Sequence, residues 1–156
     1  MAWDVAESQS KAQQAVETRI AAAWVDGPLY RTPIQWPAVL GLKDVDKTTT
    51  IPAPPTNAPW LKVDIINGDT EPATFGGTKG LNVTTAIIQL TIYAPRQCGL
   101  KQLNELAGLA KAIFSRQLTG DGIRPLASGF KMLPDEKGWI VGMVRTPFEY
   151  YEEVTN

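Results

Sequence analysis

The feature that most constrains this fold is the run at positions 81–95, LNVTTAIIQLTIYAP, which is rich in β-branched residues and contains no glycine. Every second residue from position 86 onward is apolar: Ala86, Ile88, Leu90, Ile92 and Ala94. Because a strand directs alternate side chains to opposite faces, this pattern predicts a long strand with one buried face. We expect it to be the central strand of a sheet.

A second alternating run, residues 60–66, predicts a strand that pairs with the first as an antiparallel hairpin. The connection, residues 67–80, contains four glycines and is too long for a tight turn, so we expect a flexible arm that becomes ordered on a partner. Its expected contact residues are Thr70, Glu71, Thr74, Phe75 and Lys79. The alternative is a loop that contacts only solvent.

Two helices are predicted, over residues 5–25 and 100–118. The second has the stronger apolar stripe, formed by Leu103, Leu106, Ala107, Ala110, Ile113 and Phe114. Weaker strands are predicted at 123–132 and 139–146, and residues 41–59, rich in Lys, Asp, Thr and Pro, predict a surface loop. We therefore expect one α+β domain over residues 1–156, with a small, mostly antiparallel sheet and the two main helices packed on one face.

The residue types exclude most enzyme chemistry. The chain has no histidine, which removes the commonest general base and metal ligand, and the single Cys98 cannot form an internal disulfide. Asp44 and Asp46 begin like a calcium loop, but Thr49 and Pro55 stand where Gly and Glu are required. We expect a soluble cytoplasmic protein that is not an enzyme, with no catalytic residue, cofactor or metal site.

Charge is unevenly distributed along a chain whose formal net charge is -1. Residues 96–131 contain six Lys or Arg, whereas the chain from 134 onward contains five Asp or Glu. Unlike surfaces of this kind favour head-to-tail contacts that close into a ring. The proposed contact brings Lys111, Arg116 or Arg124 of one copy near Glu149, Glu152 or Glu153 of the next. The alternative is that both faces are simply solvated.

The order of several short motifs resembles that of the tail terminator proteins of long-tailed bacteriophages, over nearly the whole chain. The motifs follow an N-terminal helix and are Gln35-Trp36-Pro37, Pro59-Trp60-Leu61-Lys62-Val63, Ile92-Tyr93-Ala94-Pro95, Gly138-Trp139 and Thr146-Pro147-Phe148-Glu149-Tyr150. Residues 41–59 match no pattern of that family.

This resemblance implies a small α+β fold and a ring of six copies that caps the finished tail tube, stops its growth and offers a surface to the head-side connector, or stopper, protein. It implies the host cytoplasm during assembly and the head-proximal end of the tail in the virion, with no membrane and with DNA only passing through the lumen. Another ring-forming connector or minor tail protein is an alternative. A second is a nucleic-acid-binding α/β domain that uses the basic segment 96–131.

Overall fold

The computed structural model describes residues 2–25, 34–37, 42–43, 50–51, 59–73, 79–96, 99–115 and 120–155. Of these residues, 56% lie in strands and 29% in helices. The elements within these ranges are, in chain order, β1 (Ala2–Asp4), α1 (Ser8–Val25), β2 (Ile34–Gln35), β3 (Leu42–Lys43), β4 (Thr50–Ile51), β5 (Trp60–Pro72), β6 (Lys79–Pro95), α2 (Gly99–Phe114), β7 (Ile123–Pro125), β8 (Gly129–Glu136) and β9 (Trp139–Thr155).

All of these strands belong to one curled, mixed sheet. The long strand β6 lies between β5 and β9 and is antiparallel to both, as the sequence predicts for a central strand. Beyond β5 the order continues through β2, β3 and β4. Two pairs are parallel, β1 with β9 and β2 with β5.

The predicted fold class is wrong. The protein is mostly β, with a large mixed sheet and two helices among its described residues, and is not a small, mostly antiparallel sheet with helices packed on one face. The main cause is β9, which continues nine residues past the predicted end at 146 and pairs with β6 from Trp139↔Pro95 to Thr155↔Lys79. Strand pairing also continues into residues expected to be an arm.

Pro147 does not interrupt the pairing of β9 with β6, because its backbone polar groups lie on the opposite edge of β9. Its carbonyl oxygen accepts a hydrogen bond from the Leu126 amide at 2.7 Å, on the edge of β9 that faces away from β6. The N–H of a strand residue points to the same side as its carbonyl, so the N–H that proline lacks belongs to this edge. The position falls between two partner strands, because β8 pairs as far as Arg145 and β7 begins at Phe148.

The core is built from alternate residues of the two longest strands and from both helices. The predicted buried face of β6 is confirmed, and so is the α2 stripe, of which only Ile113 stays partly exposed. Ala12, Val16 and Ile20 of α1 join the same cluster. At Gly142 of β9 an added Cβ would lie 2.7 Å from the ring of Phe130, so the absent side chain leaves room for that ring.

The predicted hairpin is confirmed, and it is longer than expected. β5 and β6 pair from Trp60↔Tyr93 to Pro72↔Asn82, with a bulge between Asn67 and Thr70. A flexible arm over all of 67–80 is therefore wrong for 67–72 and 79–80, while Thr74 and Phe75 lie outside the described residues. In segment 41–59, strands β3 and β4 replace part of the expected loop, and residues 41, 44–49 and 52–58 also lie outside the described ranges.

Candidate assembly surfaces

The bulge in β5 decides which side chains share a face at the end of the hairpin. Register passes from Asn67↔Ala86 to Thr70↔Thr84, so three steps along β5 match two along β6. One extra residue reverses the alternation of β5. Thr70 consequently turns to the same face as the buried Thr84, with their hydroxyl oxygens 2.8 Å apart. Ile66 and Glu71 share the opposite face.

On that opposite face the hairpin carries a groove of about 340 Å³, which we name the acidic groove. It is lined by Ile66, Gly68, Asp69, Glu71, Val83, Thr85, Ala86 and Ile87. Ile66 is 44% exposed and contributes, with Val83 and Ile87, an apolar surface beside two exposed carboxylates. An added Cβ at Gly68 would lie 2.5 Å from the Thr85 carbonyl oxygen, so glycine is required for this close approach of the strands.

Exposed basic and apolar residues also lie where β8 flanks β9, beyond β6 from the acidic groove. Lys131 and Met132 of β8 are exposed, and so are Leu100 and Lys101 at the start of α2, which contacts β8. Met132 pairs with Gly142 and Lys131 with Met143, so the two side chains point to opposite faces of the sheet. These four residues therefore do not form a single surface.

The structure separates the acidic residues that the sequence places in a subunit contact. Glu152 is 7% exposed, and the Ser8 hydroxyl donates a hydrogen bond to its carboxylate at 2.6 Å. Glu149 accepts from Arg124 of the same chain at 3.3 Å. Glu153 is half-buried. Glu152 thus points into its own chain, and the Arg124–Glu149 pair is already formed within one subunit.

The remaining predicted residues fall in several places. Lys111 is exposed in the last turn of α2, Glu71 is exposed on the groove, and Lys79 begins β6. Arg116 lies outside the described residues. The structure therefore brings Glu71 to a surface with an apolar floor, and it does not gather the other predicted residues that it describes into one patch.

Sequence reasoning misses an ion pair that joins α1 to the turn before β7. Nε and Nη2 of Arg19 each donate to a different oxygen of Asp121 at 2.6 Å, and Nη2 also lies 3.5 Å from the Ile123 carbonyl oxygen. The Arg19 side chain is only 8% exposed. The partners are 102 positions apart, so no local pattern indicates the pair.

An aromatic cluster occupies the sheet where the hairpin starts. The Trp60 and Tyr93 rings stack at 3.9 Å, and Trp139 meets Trp60 edge-on at 6.4 Å. Burial raises the pKa of Tyr93, and the carboxylates of Glu136 and Asp64 raise it further. These tyrosine and tryptophan rings cover the face of the sheet opposite the alternate residues that build the core.

A second tyrosine, Tyr150, lies in the core close to the buried carboxylate of Glu152. Burial raises the pKa of Tyr150, the negative charge of Glu152 adds to the rise, and a hydrogen bond with Thr84 partly opposes it. The phenol is therefore held neutral beyond its usual range.

Comparison with known proteins identifies a fold and no family. No protein-family model matches the chain, and no curated protein matches it in sequence. A solved structure whose name gives no function aligns with 96% of this chain and 97% of its own, with a TM-score of 0.57 and 15% sequence identity. At that identity the likeness shows a common fold over nearly the whole length.

No group of three or more His, Cys, Asp or Glu in the described ranges is placed to hold a metal ion. No helix of the described part is both long and apolar enough to cross a membrane.

Proposed function

We propose that this chain is a virion assembly protein of the tail terminator kind. Copies of it form a ring on the finished tail tube, stop its growth and provide the attachment surface for the head-side connector protein. The proposal rests on the motif order described above and on one structural observation, the exposed end of the β5–β6 hairpin.

That hairpin end has the properties of a contact surface. Residues 66–72 of β5 are all exposed, yet they are held in register by β6 as far as Pro72↔Asn82. A paired hairpin presents its side chains in a fixed arrangement, which lowers the entropy lost on binding. The acidic groove on this hairpin end suits protein contact, because its exposed apolar floor is removed from water when a partner covers it.

The nucleic-acid alternative receives less support from the placement of the basic residues. Of the six cations in 96–131, Arg96 pairs with Asp135 and Arg124 pairs with Glu149. Each pairing reduces the charge that segment can offer to phosphates. A gel shift measured over a range of salt concentrations tests this alternative, and a salt-dependent shift would favour it.

Native mass spectrometry and negative-stain imaging of the purified protein, alone and with tube protein, test the proposal. We expect a six-fold ring in at least the second sample. A chain that stays monomeric with assembled tubes present refutes it. A ring that binds the connector and leaves tube growth unchanged would instead favour a different ring-forming connector.

A further inference from the structure

The outer edge of β5, on the side away from β6, has a neighbouring strand over only a small part of its length among the described residues. β2 pairs with β5 at Leu61 and Lys62 and no further. Pro37, two residues after Gln35 at the end of β2, has no N–H with which to continue the ladder. β5 itself continues to Pro72. We name its unpaired stretch, residues 64–72, the free edge.

The register of the hairpin shows which backbone groups point to the free edge. The Ala73 amide donates to the Leu81 carbonyl oxygen at 2.7 Å, so Leu81 and every second residue of β6 direct their backbone polar groups toward β5. The pairing of β6 with β9 has no shift of register, so this alternation holds along all of β6. Before the bulge, even-numbered residues of β5 oppose these odd-numbered residues of β6 and face them. The N–H and carbonyl groups of Ile65 and Asn67 therefore point away from β6, to the free edge.

These outward backbone groups are available to another strand. Among the described residues, no group outside the β5–β6 pairing bonds to Ile65 or Asn67. Each of the two residues offers one donor and one acceptor. An extended segment laid along this edge would form main-chain hydrogen bonds like those that already join β5 to β6. The shape and chemistry of the edge thus favour an extended polypeptide as the occupant.

The side chains along the free edge are acidic and apolar. Its charged residues are Asp64, Asp69 and Glu71, and it carries no cation. Within the described ranges none of these carboxylates has an ion pair. Ile66, which is 44% exposed, lies on the same face and lines the acidic groove. The carboxylates oppose pairing of this edge with the same edge of another copy, and they favour a basic strand.

We propose that the free edge binds an extended basic segment of a partner protein, which adds a strand to the sheet beside Ile65 and Asn67. The residue opposite Ile66 is apolar and covers the floor of the acidic groove. The residues two positions before and after it are lysine or arginine and meet Asp64 and Asp69. An apolar residue also lies opposite the half-buried Ile65. The preferred sequence is therefore basic, apolar, apolar, any residue, basic. This inference goes beyond the proposed function and holds whether or not the copies form a ring.

A labelled synthetic peptide, Thr-Lys-Val-Ile-Thr-Lys-Thr with blocked ends, is the probe, and fluorescence anisotropy against added protein measures its affinity. We expect saturable binding that weakens roughly tenfold or more when both lysines are replaced by glutamate. N-methylation of alternate peptide amides tests the backbone contact, because only every second N–H of an added strand faces β5. Methylation of the second and fourth residues and methylation of the third and fifth should differ. One set should abolish binding and the other should leave it intact, and which set abolishes it gives the direction of the strand.

Variants of the protein place the peptide on the free edge. Asn67→Pro removes an outward N–H without touching the bonds to β6 and should weaken binding roughly tenfold, whereas Asn67→Ala, which keeps the N–H, should bind as the wild type does. Asp64→Asn combined with Asp69→Asn should weaken binding and reduce its salt dependence. The matched control, Glu105→Gln on an exposed position of α2, should do neither. Circular dichroism and thermal unfolding check that each variant is folded.

A measurement on the unaltered protein supports the same test. Bound peptide should slow hydrogen exchange at the amides of Ile65 and Asn67, which point to the free edge. Unchanged exchange at both amides under saturating peptide would place the peptide elsewhere and overturn the inference.

The other outcomes are equally decisive. Absence of saturable binding by the lysine peptide overturns the inference, and so does an equal effect of the two methylation sets, since alternate amides are then not used. Binding that survives Asn67→Pro in a folded protein also contradicts it. Self-association of the protein alone that Asn67→Pro abolishes would assign the free edge to a second copy instead. A protein that binds the peptide and forms no ring would refute only the proposed function.

Discussion

The ion pair between Arg19 and Asp121 should be one of the strongest single polar contributions to stability, and its removal can be predicted quantitatively. Asp121→Ala leaves an 8% exposed guanidinium without the carboxylate that accepts its two 2.6 Å hydrogen bonds. Breaking a buried pair from one side costs about 3–5 kcal/mol. Asp121 is itself 28% exposed, so water can reach the vacated side, and we expect the lower end, about 3 kcal/mol.

Urea denaturation measures this loss. With a slope of about 2 kcal/mol per molar urea, the midpoint should fall by about 1.5 M. Arg19→Met removes the charge together with the donors and should cost only about 1 kcal/mol, since no cation is then left buried. In the double variant neither charge remains, so its loss should stay near the value of Arg19→Met alone, about 1 kcal/mol, and the coupling energy should be about 3 kcal/mol.

The matched control is the more exposed ion pair between Arg124 of β7 and Glu149 of β9. Arg124 is 60% exposed and lies 3.3 Å from Glu149, so Arg124→Ala should cost less than about 1 kcal/mol. Equal losses in the free energy of unfolding for Asp121→Ala and Arg124→Ala would refute the argument that burial makes the Arg19–Asp121 pair the stronger one. So would a double variant whose loss is the plain sum of the two single losses.

Three further changes test the packing and charge of the core. Ser8→Ala removes a donor to the buried Glu152 carboxylate and should cost about 1.5–3 kcal/mol by urea titration, whereas a loss near zero would mean that water replaces the hydroxyl. Gly142→Ala forces its Cβ against the Phe130 ring and should cost about 1–3 kcal/mol in the same assay. The folded-state pKa of Tyr150 is raised above its unfolded value near 10, so stability should fall as pH rises beyond about 10, and less steeply in Tyr150→Phe; identical slopes would contradict this.

Local periodicity predicts part of this fold correctly. The alternation in β6 and the stripe on α2 identify their buried faces because each pattern depends only on neighbours along the same element. The β5–β6 pairing follows because the two runs are close in sequence. These are the parts of the protein whose geometry does not depend on distant residues.

The rest depends on contacts between distant parts of the chain. Glu152 belongs to an acidic segment typical of a solvated tail, and it is buried because Ser8, 144 positions away, donates to it. The β5 bulge is marked in sequence only by Gly68, and the two sides of the acidic groove come together because of that bulge. The fold class is wrong for the same reason, since β9 gains its length from pairing with earlier strands on both of its edges.

The far edge of β9 is completed by three separate strands: β8 at 139–145, β7 at 148–150 and finally β1, whose Ala2, Trp3 and Asp4 pair with Tyr151, Glu152 and Glu153. β1 is therefore synthesised long before residues 151–153, and its pairing with β9 must wait for them. Pairing across so large a sequence separation is slow and forms late. A nascent chain halted before position 151 should still expose Trp3, and should be recognised by chaperones until synthesis resumes.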